Sequence, residues 1–315
     1  MKGAVMRGCR TILLSCAAAL AVAALVFTGW LLLEDYPAAI ADRHGSLLSA
    51  AEHSVETRPG HRRSMVSLRS TGGLAAECAL LAPSAEGRYP AIVLLGGKAT
   101  GKYAVDYALD TRDLIVIAVD YPYEPRHSYT FFTFFRDLPA LRRAILAMPP
   151  SVLLVNDYLR TRPDVDTTRM ILLGYSFGAP FVPVTVANDH RWAAAAMVQG
   201  GGDLRALIAH NVARHEGGLA GLIAGSVGAL LLRPLEPLDN AARIAPVPLV
   251  MINGTRDEMI PAERAEELFA AAREPKRIVW LDAAHVHPRN PDLNRRIIAT
   301  LSTELQALGV LPPGF

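Results

Sequence analysis

Met170-Ile171-Leu172-Leu173-Gly174-Tyr175-Ser176-Phe177-Gly178-Ala179-Pro180 is the stretch that decides how this chain is read. A short apolar run leads into Gly-x-Ser-x-Gly, and the apolar segment Ala179–Ala187 follows. Four consecutive apolar residues suit a strand covered on both faces. The glycines at 174 and 178 let strand and helix approach closely around a very tight turn. The serine backbone is strained there, its hydroxyl stands clear of the sheet, and the next N–H faces the place where an oxyanion would form. The same pentapeptide also occurs as an ordinary glycine-rich turn. The strand–turn–helix context makes Ser176 the candidate nucleophile.

Outward from this motif, Ala91–Leu95, Leu114–Val119, Ala193–Val198, Leu249–Ile252 and Arg277–Leu281 are further short apolar runs. Met65–Leu68 and Leu74–Leu81 read as an antiparallel hairpin around Gly72-Gly73. Helical stretches fall within Leu138–Arg160 (interrupted by Pro149-Pro150), Ala179–Ala187, Pro261–Ala272 and Asn290–Leu308. Alternation of this kind predicts an α/β fold with a doubly wound, mostly parallel sheet. Chemistry on such a sheet sits beyond the carboxyl ends of the strands.

A serine nucleophile needs a base, and the base needs an acid to orient it. Asp257 follows the Leu249–Ile252 strand and precedes a helix, which makes it the candidate acid. Glu258 and Asp203 are weaker candidates, and Asp257 could instead pair with Arg256 or cap the helix. His285 lies about four residues beyond the last strand, among small residues that suit a close-packed loop. His287 is its rival.

Taken in order, Gly174–Gly178, Gly254-Thr255-Arg256-Asp257 with Ile260-Pro261, and Ala284-His285-Val286 resemble the α/β-hydrolase superfamily. The resemblance is to its dienelactone-hydrolase-like and acyl-esterase branch, over residues 64–310. It implies a Ser176–His285–Asp257 triad that cleaves an acyl ester through an acyl-enzyme. It also implies an oxyanion hole made by the backbone N–H groups of Lys98 and Phe177. Family members usually carry His-Gly-x at the first of these positions. Here Gly96-Gly97-Lys98 replaces it, which leaves the bracing of that loop open.

The same residues mimic another motif. Gly96 to Lys102 fits G-x-x-x-x-G-K, but Tyr103 stands where a P-loop needs Ser or Thr for Mg²⁺. Nucleotide binding is not expected. Three cysteines, two of them in or beside the apolar N-terminus, give no disulfide framework and no zinc spacing. No cofactor or metal is implied. Basic and acidic residues number 32 and 30 and are interspersed, unlike the footprint of a nucleic-acid binder.

The N-terminus has its own character. Lys2, Arg7 and Arg10 precede Thr11–Leu33, about 23 uncharged residues, and Glu34-Asp35 follow. At 1.5 Å per residue this can cross a ~30 Å hydrocarbon core. The charge order favours a single-pass signal anchor with the body outside the cytoplasm, over a cleaved signal peptide or a lipoprotein. The expected organisation is a transmembrane anchor at 1–33, a linker at 34–63 and a hydrolase domain at 64–315. A small helical cap insert is expected at about 203–235.

Gly217–Leu232 and the aromatic stretch Phe131–Phe135 could wall an apolar acyl pocket or could be ordinary core. A small-molecule or lipid-like acyl substrate is expected. A peptidase, thioesterase or lactonase of the same fold, or a non-catalytic binding protein, are the rival readings.

Overall fold

The computed structural model describes residues 22, 25–98, 100–107, 113–122 and 131–312, with backbone only for 131–135. The chain divides into two units, residues 1–36 and 37–315. In the first, residues 25–33 are helical, and the rings of Phe27 and Trp30 stack 5.9 Å apart. Most of the expected anchor lies outside the described residues.

The second unit is built on a nine-stranded sheet. Its strands are β1 (Leu47–Arg58), β2 (His61–Ser70), β3 (Ala75–Pro83), β4 (Tyr89–Leu95), β5 (Ile115–Val119), β6 (Val165–Tyr175), β7 (Ala194–Val198), β8 (Leu249–Gly254) and β9 (Lys276–Leu281). The order is β1-β2-β3-β5-β4-β6-β7-β8-β9. β1, β2, β3 and β5 pair antiparallel in succession, and every later pairing is parallel. β4 lies between β5 and β6. The chain therefore leaves β4 to one side and returns to β6 on the other, and this reversal opens a crevice beyond the strand ends.

The helices are α1 (Tyr36–His44), α2 (Phe131–Leu146), α3 (Met148–Thr161), α4 (Phe181–Asn188), α5 (Leu204–Glu216), α6 (Gly218–Leu232), α7 (Pro237–Ala241), α8 (Ala262–Ala271) and α9 (Pro291–Ala307). The proline pair expected to interrupt a helix stands at the start of α3, where missing N–H donors cost nothing. One face of the sheet carries α9, whose Leu293, Ile297, Leu301 and Leu305 pack with Ile92, Leu94, Ile171 and Leu173. The crossover from β4 to β5 contributes, among the described residues, a 3₁₀ segment at Gly101–Tyr107 rather than an α-helix.

The expected linker at 34–63 is instead α1, β1 and the start of β2. β1 is an edge strand paired on one side and mostly exposed, so no apolar alternation announces it. Polar ties hold it. Glu52 accepts hydrogen bonds from Ser64 Oγ (2.7 Å) and Arg162 Nη1 (3.0 Å). His44 of α1 bonds Asp157 of α3 at 2.7 Å.

The insert at 203–235 is a helical hairpin, α5 and α6. Gly221 and Gly225 of α6 lie so close to α5 that a Cβ would stand 2.5 Å from the carbonyl oxygens of Ala209 and Arg205. The outer face of α6 exposes Leu219, Leu222, Ile223 and Val227.

Candidate active site

Ser176 sits at the end of β6, beside the end of β4, at the crevice that the strand order creates. Its φ is 49°, in the left-handed region that a non-glycine residue rarely adopts. The flanking glycines permit this turn. A Cβ on Gly174 would stand 2.6 Å from the Gly178 carbonyl oxygen, and one on Gly178 would collide with the Leu95 carbonyl of β4.

The three side chains singled out in the sequence meet. Ser176 Oγ lies 2.7 Å from His285 Nε2. His285 Nδ1 lies 2.8 Å from Asp257 Oδ2 and 2.9 Å from Oδ1. A carboxylate only accepts, so Nδ1 carries the proton, and Nε2 is free to accept the serine proton. The side chain of Asp257 is 1% exposed and that of His285 9%. Oδ1 of Asp257 also accepts from the backbone N–H groups of Met259 and Ile260, both at 2.9 Å. These donors fix the carboxylate facing the imidazole.

The rivals make other contacts. His287 is exposed, and its Nδ1 accepts from Arg289 N at 3.1 Å. Asp203 caps α5 through Ala206 N and pairs with Arg264. Glu258 reaches only the backbone N–H of His285, at 3.3 Å.

Lys98 is exposed and lines the same cavity as Ser176 and His285. With no histidine in its loop, the bracing comes from Tyr121, just beyond β5. Its hydroxyl donates to the Gly96 carbonyl. Its ring packs edge-on against Phe177 at 5.1 Å and tilted against Phe181 at 6.2 Å. Burial, helped by the Asp120 carboxylate, pushes its phenol pKa up, so the donor stays protonated. Thr100 Oγ1 donates to the Gly97 carbonyl at 2.9 Å. Lys102 Nζ is bound to Asp120 Oδ2 at 2.7 Å. Burial disfavours that ammonium, but Asp120 outweighs it and its pKa is raised. A lysine so engaged, on a 3₁₀ segment, offers no phosphate cradle.

Gln199 was not singled out in the sequence. It follows β7, is 2% exposed and has φ 50°. Its Nε2 donates to the Ala284 carbonyl at 2.8 Å, and its Oε1 accepts from Val286 N. One side chain thus clamps the residues on both sides of His285. The helical hairpin holds the acid loop in a similar way. His210 Nε2 lies 2.9 Å from the Glu258 carbonyl, Arg214 donates to that carbonyl, and Asn211 donates to that of Met259. Tyr121 and Gln199 both follow strand ends, the signal that could have found them.

A cavity of about 860 Å³ opens at Ser176 and His285. It runs between the sheet and α9, along Leu94, Val116 and Leu173 on one side and Ile298, Leu301 and Leu305 on the other. No residue of 217–232 lines it. Of the two readings of this run, the acyl wall finds no support at this cavity, because α6 turns its glycines to α5 and Leu219, Leu222, Ile223 and Val227 to the surface. The side chains of Phe131–Phe135 lie outside the described residues. Among the described residues no group of three or more His, Cys, Asp or Glu could hold a metal.

A family model for the Prolyl oligopeptidase family matches residues 150–287, which include Ser176, Asp257 and His285. A protein of Salmonella typhimurium described as uncharacterized protein YfhR is 32% identical over 131 residues. That match covers 41% of this chain and 44% of the relative, so it spans less than half the length of the curated relatives. The Escherichia coli K12 protein of the same name is 30% identical over 129 residues, 41% of this chain and 42% of the relative.

Among solved structures, acetyl xylan esterase 1 from a Thermoanaerobacterium species aligns with TM-score 0.61 at 16% identity. The alignment covers 85% of this chain and 92% of that one. A 2,6-dihydroxy-pseudo-oxynicotine hydrolase aligns with TM-score 0.60 at 20% identity, over 79% of this chain and 68% of that one. At these identities the likeness shows a shared fold.

Proposed function

We propose that this chain, whose fold is that of the α/β-hydrolase superfamily, is a serine hydrolase cleaving an acyl ester. The observation that carries the reading is the unbroken relay from Ser176 Oγ through His285 to Asp257, at 2.7 and 2.8 Å. Ser176 Oγ attacks the acyl carbonyl carbon while its proton passes to His285 Nε2. The backbone N–H groups of Lys98 and Phe177 receive the oxyanion. The C–O bond to the leaving group breaks as His285 returns the proton to that oxygen. Water, deprotonated by His285, then splits the acyl-enzyme, releasing the acid and restoring Ser176.

Labelling with a fluorophosphonate probe and hydrolysis of p-nitrophenyl esters test this reading. Ser176→Ala should abolish the labelling and lower turnover by roughly 10⁴-fold or more. Labelling that survives in Ser176→Ala overturns the assignment.

Peptide-bond cleavage is the second reading, favoured by the Prolyl oligopeptidase match. Aminoacyl and dipeptidyl p-nitroanilides, run beside the esters, separate the two.

The domain is proposed to be held at the outer side of the cell membrane by residues 11–33. Supporting this are the charge order around that segment and the exposed apolar face of α6. The protein should remain in the pellet after alkaline carbonate, and a phosphatase fused after residue 64 should be active. Release into the supernatant would favour a cleaved signal peptide.

A further inference from the structure

We propose that the cavity beneath Ser176 holds the acyl chain of the substrate, and that this chain is linear, apolar and on the order of ten carbons long. The inference rests on the hydrolase reading above and adds the substrate class. Its basis is the space left on the α9 face of the sheet. Where β4 crosses to β5, the described residues supply only the 3₁₀ segment Gly101–Tyr107. The cavity lies on that face of the sheet, between Leu94, Val116 and Leu173 and the α9 residues Ile298, Leu301 and Leu305.

The shape fits a chain rather than a compact group. The lining follows β4 from Gly96 to Ile92, which at ~3.3 Å per residue is roughly 13 Å. It follows α9 from Asn294 to Leu305, which at 1.5 Å per residue is roughly 16 Å. Two elements of different kind thus give a similar length, starting at the nucleophile and running toward the amino ends of the parallel strands. A volume of about 860 Å³ lies near the top of the range for small-molecule sites, far above the needs of an acetyl group.

The chemistry of the walls points the same way. Leu94, Val116, Leu173, Leu301 and Leu305 are buried or nearly so, and all are aliphatic. Of the charged lining residues among those described, Lys98 and Arg295 are exposed near the mouth, and Asp113 is exposed at the far end, just before β5 begins. A sugar or peptide side chain between these two ends would lose its water to aliphatic walls. An alkyl chain gains from the same walls. The bond broken and the proton path are those of the ester hydrolysis already described.

The test is a chain-length profile on the detergent-solubilised full chain, with p-nitrophenyl esters from acetate to palmitate kept below micelle formation. kcat/KM should rise about twofold to fourfold per CH₂ and reach its maximum between about C8 and C12. Ile298→Trp, which pushes a large ring into the groove from α9, should move the maximum to shorter acids. Ile298→Ala should move the maximum the other way and stands in if the tryptophan variant fails to bind the fluorophosphonate probe. A parallel series of acetate esters with lengthening alcohols should show no such shift.

Three results would overturn the proposal. One is a parent profile that falls from acetate upward. Another is an Ile298 variant that scales all acids alike. The third is a length effect in the alcohol series instead. Loss of the hydrolase reading is a separate outcome, seen as no Ser176-dependent labelling and no hydrolysis of any ester.

Discussion

Tyr121 and Gln199 place two of the loops on which the candidate chemistry depends, and neither touches a reacting atom. Tyr121→Phe keeps the ring packed between Phe177 and Phe181 and removes only the donor to Gly96. A carbonyl left unpaired costs about 1–3 kcal/mol, and a loop released from its brace misplaces the Lys98 N–H. We expect kcat to fall roughly 10-fold and Tm to drop by up to several degrees, with KM almost unchanged. Stopped assays and thermal melts of the variant decide this, and an unchanged kcat means the brace is dispensable. Gln199→Ala removes both contacts flanking His285 at once. Its kcat should fall roughly 10- to 100-fold, with Gln199→Glu recovering part of the loss, because a carboxylate still accepts from Val286 N but cannot donate to Ala284. Equal loss in both variants would argue against a positioning role. Ser176, Asp257 and His285 were legible because each follows a strand in a spaced motif. The roles of Tyr121 and Gln199 depend on which strands are neighbours, and no local pattern records that.

α6 carries its information in its glycines. Gly225 brings the helix within contact of the Arg205 carbonyl, so a side chain there must push the helices apart. Overpacking of this kind costs about 1–3 kcal/mol, or several degrees of Tm in a domain of this size. α5 also grips the Glu258 and Met259 carbonyls next to Asp257. Gly225→Val should therefore lower kcat as well as Tm, whereas Leu222→Ser on the exposed face should do neither. Calorimetry and kinetics on the two variants test this, and a Gly225→Val protein with parental kcat would uncouple the hairpin from the acid loop. The hairpin itself was legible as an insert between two strands. Its packing was not, because a glycine stripe and an apolar stripe alternate within one uniformly apolar run. An acyl wall was one of two readings of this hairpin, and the cavity at Ser176 lies instead between the sheet and α9.

Across the whole molecule, carboxylates tie the amino-terminal elements to the body. Burial opposes the charge of Asp157, but hydrogen bonds from His44 and Arg191 outweigh it and hold its pKa below the ordinary value. Glu52 is lowered against burial by Ser64 and Arg162, and Asp189 against burial by Arg191. A carboxylate with a depressed folded pKa contributes stability above its unfolded pKa, and loses it as pH falls through the folded one. Tm should thus be level down to about pH 5 and fall below about pH 4. Asp157→Asn should lower the plateau and flatten the fall, and a parent melt unchanged to pH 3 would refute the linkage. The Asp157 and Glu52 ties fasten α1 and β1, the expected linker, whose exposed edge leaves no apolar pattern in the sequence. That edge has a further consequence. Between His53 and Glu56 β1 carries one more residue than β2 opposite it, with Ser54 at φ 53°. A straight outer strand of this length would offer its free amides and carbonyls to any extended chain, including another copy of itself. The kink interrupts that template in mid-strand, beyond a first irregularity between Leu47 and Ser49, and deleting Val55 should let molecules join edge to edge into dimers or fibrils visible by light scattering.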